Sequence, residues 1–302
     1  MNKESNWPIV LGTSGILAPG RWLRLRAILW AIFLTACALG LFILTQYLGG
    51  WLHLPPSSSY YIVLGVPLLA LVGYGLLVAA EEGRTPVEVL PRSGTIAEIV
   101  VGALIGFILL CTLTALLWSL GLYQVQTNHW QHAFDSFVFN SYLSGLMEEL
   151  MFRAILLRIL GRAFGPLWGL VLSAVLFGVA HLTHGDWLAV VGIAINAGLA
   201  MGLLYMATGS IWMSIGLHTA WDFTEDSLLG VNSHNGLLRS TPVVGKPELL
   251  TGGQFGPDAS ILSLLVGVLL VAAILWAWKR GFFLMTHPVR HPRNQLEHNY
   301  PK

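Results

Sequence analysis

The chain has 302 residues, of which 55% are hydrophobic and only 10% charged. A water-soluble chain of this size carries about 25% charged residues, so the composition excludes a soluble globule and points to a protein solvated largely by lipid. Sixteen Lys and Arg stand against fifteen Asp and Glu, a net charge of +1, which leaves no basic footprint for nucleic acid.

The first element follows from Arg21, Arg24 and Arg26, which precede an apolar run from Ala27 to Leu48. That run exceeds the roughly 7 to 15 apolar residues of a cleavable signal and is read as a retained anchor. Further runs cover 60–80, 96–122, 137–160, 166–182, 188–207, 211–229 and 260–278, each near the roughly 20 residues that cross a bilayer as a helix. The pattern predicts an all-α polytopic transmembrane bundle of about eight spans. With both termini cytoplasmic, thirteen of the sixteen basic residues fall on the inner side, only Arg239 and Lys246 fall outside, and Arg153 lies within a span, as the positive-inside rule requires. Gly102 with Gly106, Gly165 with Gly169 and Gly198 with Gly202 form small-residue faces suited to close helix packing. Cys37 and Cys111 lie in apolar runs and read as small buried hydrophobes.

Ionisable residues inside spans cost about 2.5–3.5 kcal/mol each at the helix centre, so their presence marks function. The fourth run holds Glu148, Glu149 and Arg153. Glu149 and Arg153 are one turn apart and can pair, whereas Glu148 points about a quarter turn away. The fifth run ends at Phe177 and His181, and the seventh contains His218 and Asp222 on one helix face. Two carboxylates and two histidines on three spans can activate water and stabilise an oxyanion in a dry cavity. The same inventory also suits a proton relay or metal-ion path in a transporter.

Glu148-Glu149-x-x-x-Arg153, Phe177-x-x-x-His181 and His218-x-x-x-Asp222 resemble the three-motif signature of the CPBP family, the CAAX-protease and bacteriocin-processing intramembrane proteases also called Abi. The likeness runs from about Gly145 to Ile261 and includes Thr208 to Trp212, Gly216 to His218 and the segment Thr251 to Pro257. It implies an intramembrane endopeptidase acting on a membrane-associated or lipid-modified (CAAX-like) protein or peptide, in a bacterial cytoplasmic membrane. The apolar runs and this likeness together divide the chain into a cytoplasmic tail (1–26), N-terminal membrane helices (27–130), a catalytic helical core (131–278) and a C-terminal cytoplasmic tail (279–302). By the same resemblance, Glu148 is the general base, His181 positions the attacking water, and His218 with Asp222 faces the oxyanion; Glu149, Arg153 and Phe177 support them. Many family members carry Asn in place of Asp222. A protonated Asp222 could donate to an oxyanion, whereas an ionised one could only orient a histidine. The preferred chemistry is metal-free, the alternative being a zinc ion on His181, His218 and Glu148. Membrane lipid and a protein or peptide substrate are the expected partners, the oligomeric state being open. A non-catalytic membrane scaffold and a proton-coupled transporter are the competing functions.

Depth provides a check. Glu148 lies fourteen residues from Arg162 and His181 fifteen from Pro166, about 21–23 Å in, but His218 lies only eight residues past Ser210, about 12 Å in at ~1.5 Å per residue. The two depths agree only if the seventh span is tilted or begins in a broken turn inside the protein. His184 and Asp186 read as a solvated loop, and His129, His132 and Asp135 as an interfacial stretch with Trp130 and Phe134. Asn196 is expected either to bond between helices or to join the site. Glu225 and Asp226 are expected to face water. Trp7, Trp51, Trp130, Trp187 and Trp278 read as an aromatic belt.

Overall fold

The structure is a computed structural model and describes residues 8–53, 55–128, 133–182, 187–231 and 236–283. His129, Trp130, His132, His184, Asp186 and Trp7 lie outside them. The chain is an all-α polytopic helical protein. Its helices are α1 (Leu23–Trp51), α2 (Pro56–Leu77, continued by a wide turn at Val78–Glu82), α3 (Thr95–Ser119), α4 (133–164), α5 (Pro166–Ala180), α6 (187–208), α7 (212–228) and α8 (Ile261–Lys279). Five of them, α1, α2, α3, α6 and α8, are long and apolar enough to cross a membrane. The other three carry the polar residues of the three motifs. This is an integral membrane protein: the exposed flanks of the long helices are apolar, with Ile32, Leu69, Ile108 and Leu269 all outward, and only lipid can solvate them. Cys37 also lies on such an exposed flank, so the expectation of burial is corrected there.

The helix α4 occupies the middle of the main apolar core, against α1, α5 and α7. Two π-helical stretches, Phe137–Tyr142 and Leu150–Leu157, interrupt it on either side of Glu148–Glu149. Such wide turns shift the side chains that follow and recur at functional sites. Helix α5 starts cleanly because Gly165 has φ +100 and Pro166 takes the first helical position.

The helices α3 and α7 touch backbone to backbone. A Cβ on Gly102 would lie 2.1 Å from the Met213 carbonyl oxygen, and one on Gly106 2.4 Å from that of Leu217. On the other side of α7, a Cβ on Gly145 would meet the Thr219 hydroxyl at 2.2 Å. These contacts bring the turn carrying His218 and Asp222 against the turn carrying Glu148 and Glu149. The small-residue face at Gly102 and Gly106 is thus the seam that fixes α7.

One end of the bundle gathers the cations. Arg158, fully buried in α4, donates to Glu82 at 2.7 and 2.8 Å, and Arg84 joins Glu82 to Glu88. The segment before α1 closes this end: the Leu11 carbonyl accepts from Arg158 and that of Leu17 from Arg162. The opposite end carries an addition to the all-α expectation, an antiparallel ribbon of β1 (Tyr123–Thr127) and β2 (Leu238–Pro242), in register Tyr123 to Pro242 through Thr127 to Leu238. The third apolar run therefore stops as a helix at Ser119, and Leu122 and Tyr123 pack with Leu110, Leu113 and Trp221 under the ribbon. The Tyr123 hydroxyl donates to the Thr251 carbonyl at 2.9 Å, tying the ribbon to the loop between β2 and α8.

Candidate active site

A cavity of about 440 Å³ lies between α5, α6, α7 and the loop before α8, with Phe177, His181, Asn196, His218, Asp222 and Asp258 among its walls. That volume is in the range of small-ligand sites. His218, 6% exposed, is its least exposed polar residue. The ring Nδ1 lies 2.9 Å from Glu149 Oε1, the same oxygen that accepts from Arg153 at 2.7 Å. A carboxylate held by a guanidinium only accepts, so His218 donates from Nδ1. Its Nε2 is the nitrogen left to the cavity, 3.9 Å from Glu148 Oε2 and 3.7 Å from Asp222 Oδ2. At those separations the three groups face one another without hydrogen bonding.

The sequence assigned Glu149 to Arg153 alone, and that pair is present. Glu149 also anchors His218, a contact between residues 69 apart in the chain. Arg153 also donates to the Ala197 carbonyl at 2.7 Å, and its guanidinium lies 4.6 Å over the ring of Phe177. Phe177 is in turn in ring contact with His181 at 5.0 Å and His218 at 5.9 Å. One buried aromatic therefore spaces both histidines and the arginine.

His181 ends α5, with Nδ1 2.9 Å from the Phe177 carbonyl. Because a carbonyl only accepts, Nδ1 carries the proton here too, and in the neutral ring Nε2 is an acceptor. Glu148 is 16% exposed at its side chain, and His218, His181, Asp222 and Glu149 are the groups close enough to act on it electrostatically. All four residues of the predicted catalytic set thus belong to one neighbourhood. The poor agreement in depth has a structural cause: α7 begins inside the protein, where Ser210 and Ile211 are fully buried and the Ile211 amide donates to the Glu88 carbonyl at 3.1 Å.

Two further residues of the site, Ser144 and Asp258, were not singled out from the sequence, whereas Gln254 and Phe255 fall in the Thr251 to Pro257 segment of the family likeness. The Ser144 hydroxyl donates to Asp222 Oδ2 at 2.6 Å. Gln254, Phe255 and Asp258, from the loop before α8, form the outer wall. Asp258 lies outside the spans, and there burial, reinforced by the charge of Asp222 and opposed by a hydrogen bond with Trp221, pushes its carboxyl up to about 7. The expectation that Glu225 and Asp226 face water is corrected: Glu225 is buried, Asp226 half-buried, and both line the cavity, because the end of α7 is covered by that loop. Asn196 does both things foreseen for it, donating to Ser263 on α8 at 2.6 Å and lining the cavity. Among the described residues, no three His, Cys, Asp or Glu are gathered as ligands for one ion.

Searches of curated proteins and of solved structures returned no match. A family model does match: residues 130–224 fit the family described as Type II CAAX prenyl endopeptidase Rce1-like. The matched stretch contains all four residues of the site and each of their supporting contacts from Glu149, Arg153, Phe177 and Ser144. Over this segment, which is less than half of the chain, the protein is similar to that family.

Proposed function

We propose that the protein is an intramembrane endopeptidase that hydrolyses a peptide bond in a membrane-associated or lipid-modified protein or peptide, resident in a bacterial cytoplasmic membrane. The observation that carries this reading is the arrangement around His218, whose one nitrogen is fixed by Glu149 and whose other faces Glu148 and, on the cavity wall, Asp222. In this reading Glu148 takes a proton from water whose position is set by Nε2 of His181, and the hydroxide adds to the scissile carbonyl carbon. The carbonyl oxygen becomes an oxyanion and is met by protonated Nε2 of His218. Collapse of the adduct breaks the C–N bond, and the proton held by Glu148 passes to the departing amine.

In this reading Asp222, bonded by Ser144, orients His218, and the oxyanion falls to the histidine. Fixing the ring of each histidine before the substrate arrives is the kind of preorganisation that electrostatic catalysis requires.

The test is cleavage of a lipid-anchored peptide by purified protein and by Glu148→Ala and His181→Ala, with and without a zinc chelator. Wild-type cleavage that both substitutions abolish and chelation leaves intact is the expected result. Activity that survives both substitutions removes the assignment. Loss on chelation with return on adding zinc replaces the metal-free chemistry by a zinc one.

A further inference from the structure

The direction in which the cavity opens follows from exposure along α7. Ser210 and Ser214 at the start of the helix are fully buried, Leu217 is 1% and His218 6% exposed, and one turn further the Asp222 side chain reaches 25%. The cavity walls beyond Asp222 are Glu225, Asp226, Gln254 and Phe255, with Gln254 exposed to solvent. Water and a peptide chain therefore reach His218 from the ribbon end of the bundle.

The other end is sealed by chemistry of a different sort. Arg92 donates to Glu98 at 2.7 Å and to the Thr208 carbonyl at 3.0 Å, and Ser210 donates to the second oxygen of Glu98 at 2.8 Å. Pro8 closes over Gly209, where a Cβ would lie 3.0 Å from the Pro8 carbonyl oxygen. This sealed end holds Arg84, Arg92, Arg158 and Arg162 and continues into Lys279 and Arg280, whereas the ribbon end carries only Arg239 and Lys246 among the described Lys and Arg outside the spans. A bias of that size sets orientation, the basic side remaining in the cytoplasm.

Putting the two together, we infer that the cavity opens on the non-cytoplasmic face of the membrane, opposite the basic end of the bundle. Resting on the hydrolytic reading above, this fixes the substrate class: a segment of an exported or membrane-anchored polypeptide presented from outside, and not the cytosolic tail of a lipid-modified protein. A cytosolic peptide would have to cross the Arg92–Glu98–Ser210 seal and the segment before α1 to reach Glu148.

The test has two independent arms. In a Cys37→Ala, Cys111→Ala background, single cysteines at Gln254→Cys, Val244→Cys and Arg280→Cys are exposed to a membrane-impermeant maleimide in intact cells and again after permeabilisation. The expected result is labelling at 254 and 244 in intact cells and at 280 only after permeabilisation. Labelling at 280 alone in intact cells, or at 244 without 254, overturns the inference. The second arm uses the unaltered protein in right-side-out and inside-out vesicles with an impermeant fluorogenic peptide. Cleavage confined to right-side-out vesicles is expected, and cleavage confined to inside-out ones overturns the sidedness. If neither preparation cleaves while the labelling pattern is as expected, the hydrolytic reading fails and the sidedness stands.

Discussion

Two clusters of buried charge occupy this bundle, and they are completed differently. At the sealed end, Glu82 receives Trp30, Arg84 and Arg158, and Glu88 receives Tyr74 and Arg84, so every oxygen of both carboxylates has a donor. Around the cavity, Glu148 Oε2, Glu149 Oε2, Arg153 Nε and Asp258 Oδ1 are buried with no hydrogen-bond partner among the described residues. Saturated ion pairs in a low-dielectric interior hold helices in one arrangement. Unsaturated carboxylates keep bonding capacity for something that arrives, and on the proposed function this separates the structural pair Glu82 and Glu88 from Glu148 and Glu149.

The contrast is sharpened by removing one charge from each cluster. Glu148→Gln is expected to lower turnover by about 10²- to 10⁴-fold, the usual worth of a general base, while the thermal midpoint in detergent stays level or rises. A variant that unfolds instead of losing turnover would put Glu148 in the structural class. Arg158→Ala strands Glu82 and Glu88 and should cost about 3–5 kcal/mol of stability, read by thermal unfolding, with the activity of the remaining folded fraction near wild type. Glu149→Gln joins the two behaviours, because this residue serves both Arg153 and His218. Stability and activity should fall together, and a variant affected in only one would break the link.

Smaller effects lie at the edge of the cavity. Ser144→Ala removes the donor to Asp222, worth about 1 kcal/mol and so less than tenfold in rate at about 1.36 kcal/mol per decade. Asp258 provides a test by pH. Its carboxyl is pushed up to about 7 by burial, while in the unfolded chain it ionises near ~3.9. Between those values the native protein keeps a proton that the unfolded chain has released, so stability falls as pH rises through the window and levels off above it. Asp258→Asn should match wild type in thermal midpoint at pH 4 and exceed it at pH 8; an equal offset at both would contradict the assignment.

The sequence carried the spans and the local pair Glu149–Arg153, because hydropathy and a four-residue spacing are properties of one helix at a time. The bonds Glu149–His218 and Ser144–Asp222 exist only once α7 has docked between α3 and α4, and neither partner's neighbourhood in the chain points to the other. The β1–β2 ribbon was missed because Tyr123–Thr127 and Leu238–Pro242 are short and largely polar, with too few apolar alternations to register. Counting residues from Ser210 placed His218 too shallow because the count assumed a membrane boundary where the chain instead turns inside the protein. Glu225 and Asp226 read as solvated because the loop that covers them comes from 30 residues further on, beyond the reach of any local pattern.

The central claim is that Glu148 delivers water to a peptide carbonyl, and isotope labelling addresses it directly. Reconstituted protein is incubated with a membrane-anchored peptide in H₂¹⁸O, and the new carboxyl terminus is weighed by mass spectrometry. The account predicts one ¹⁸O per cleaved product from the wild type and no product from Glu148→Gln. Product that lacks the label, or product that forms at the same rate without the Glu148 carboxylate, contradicts it.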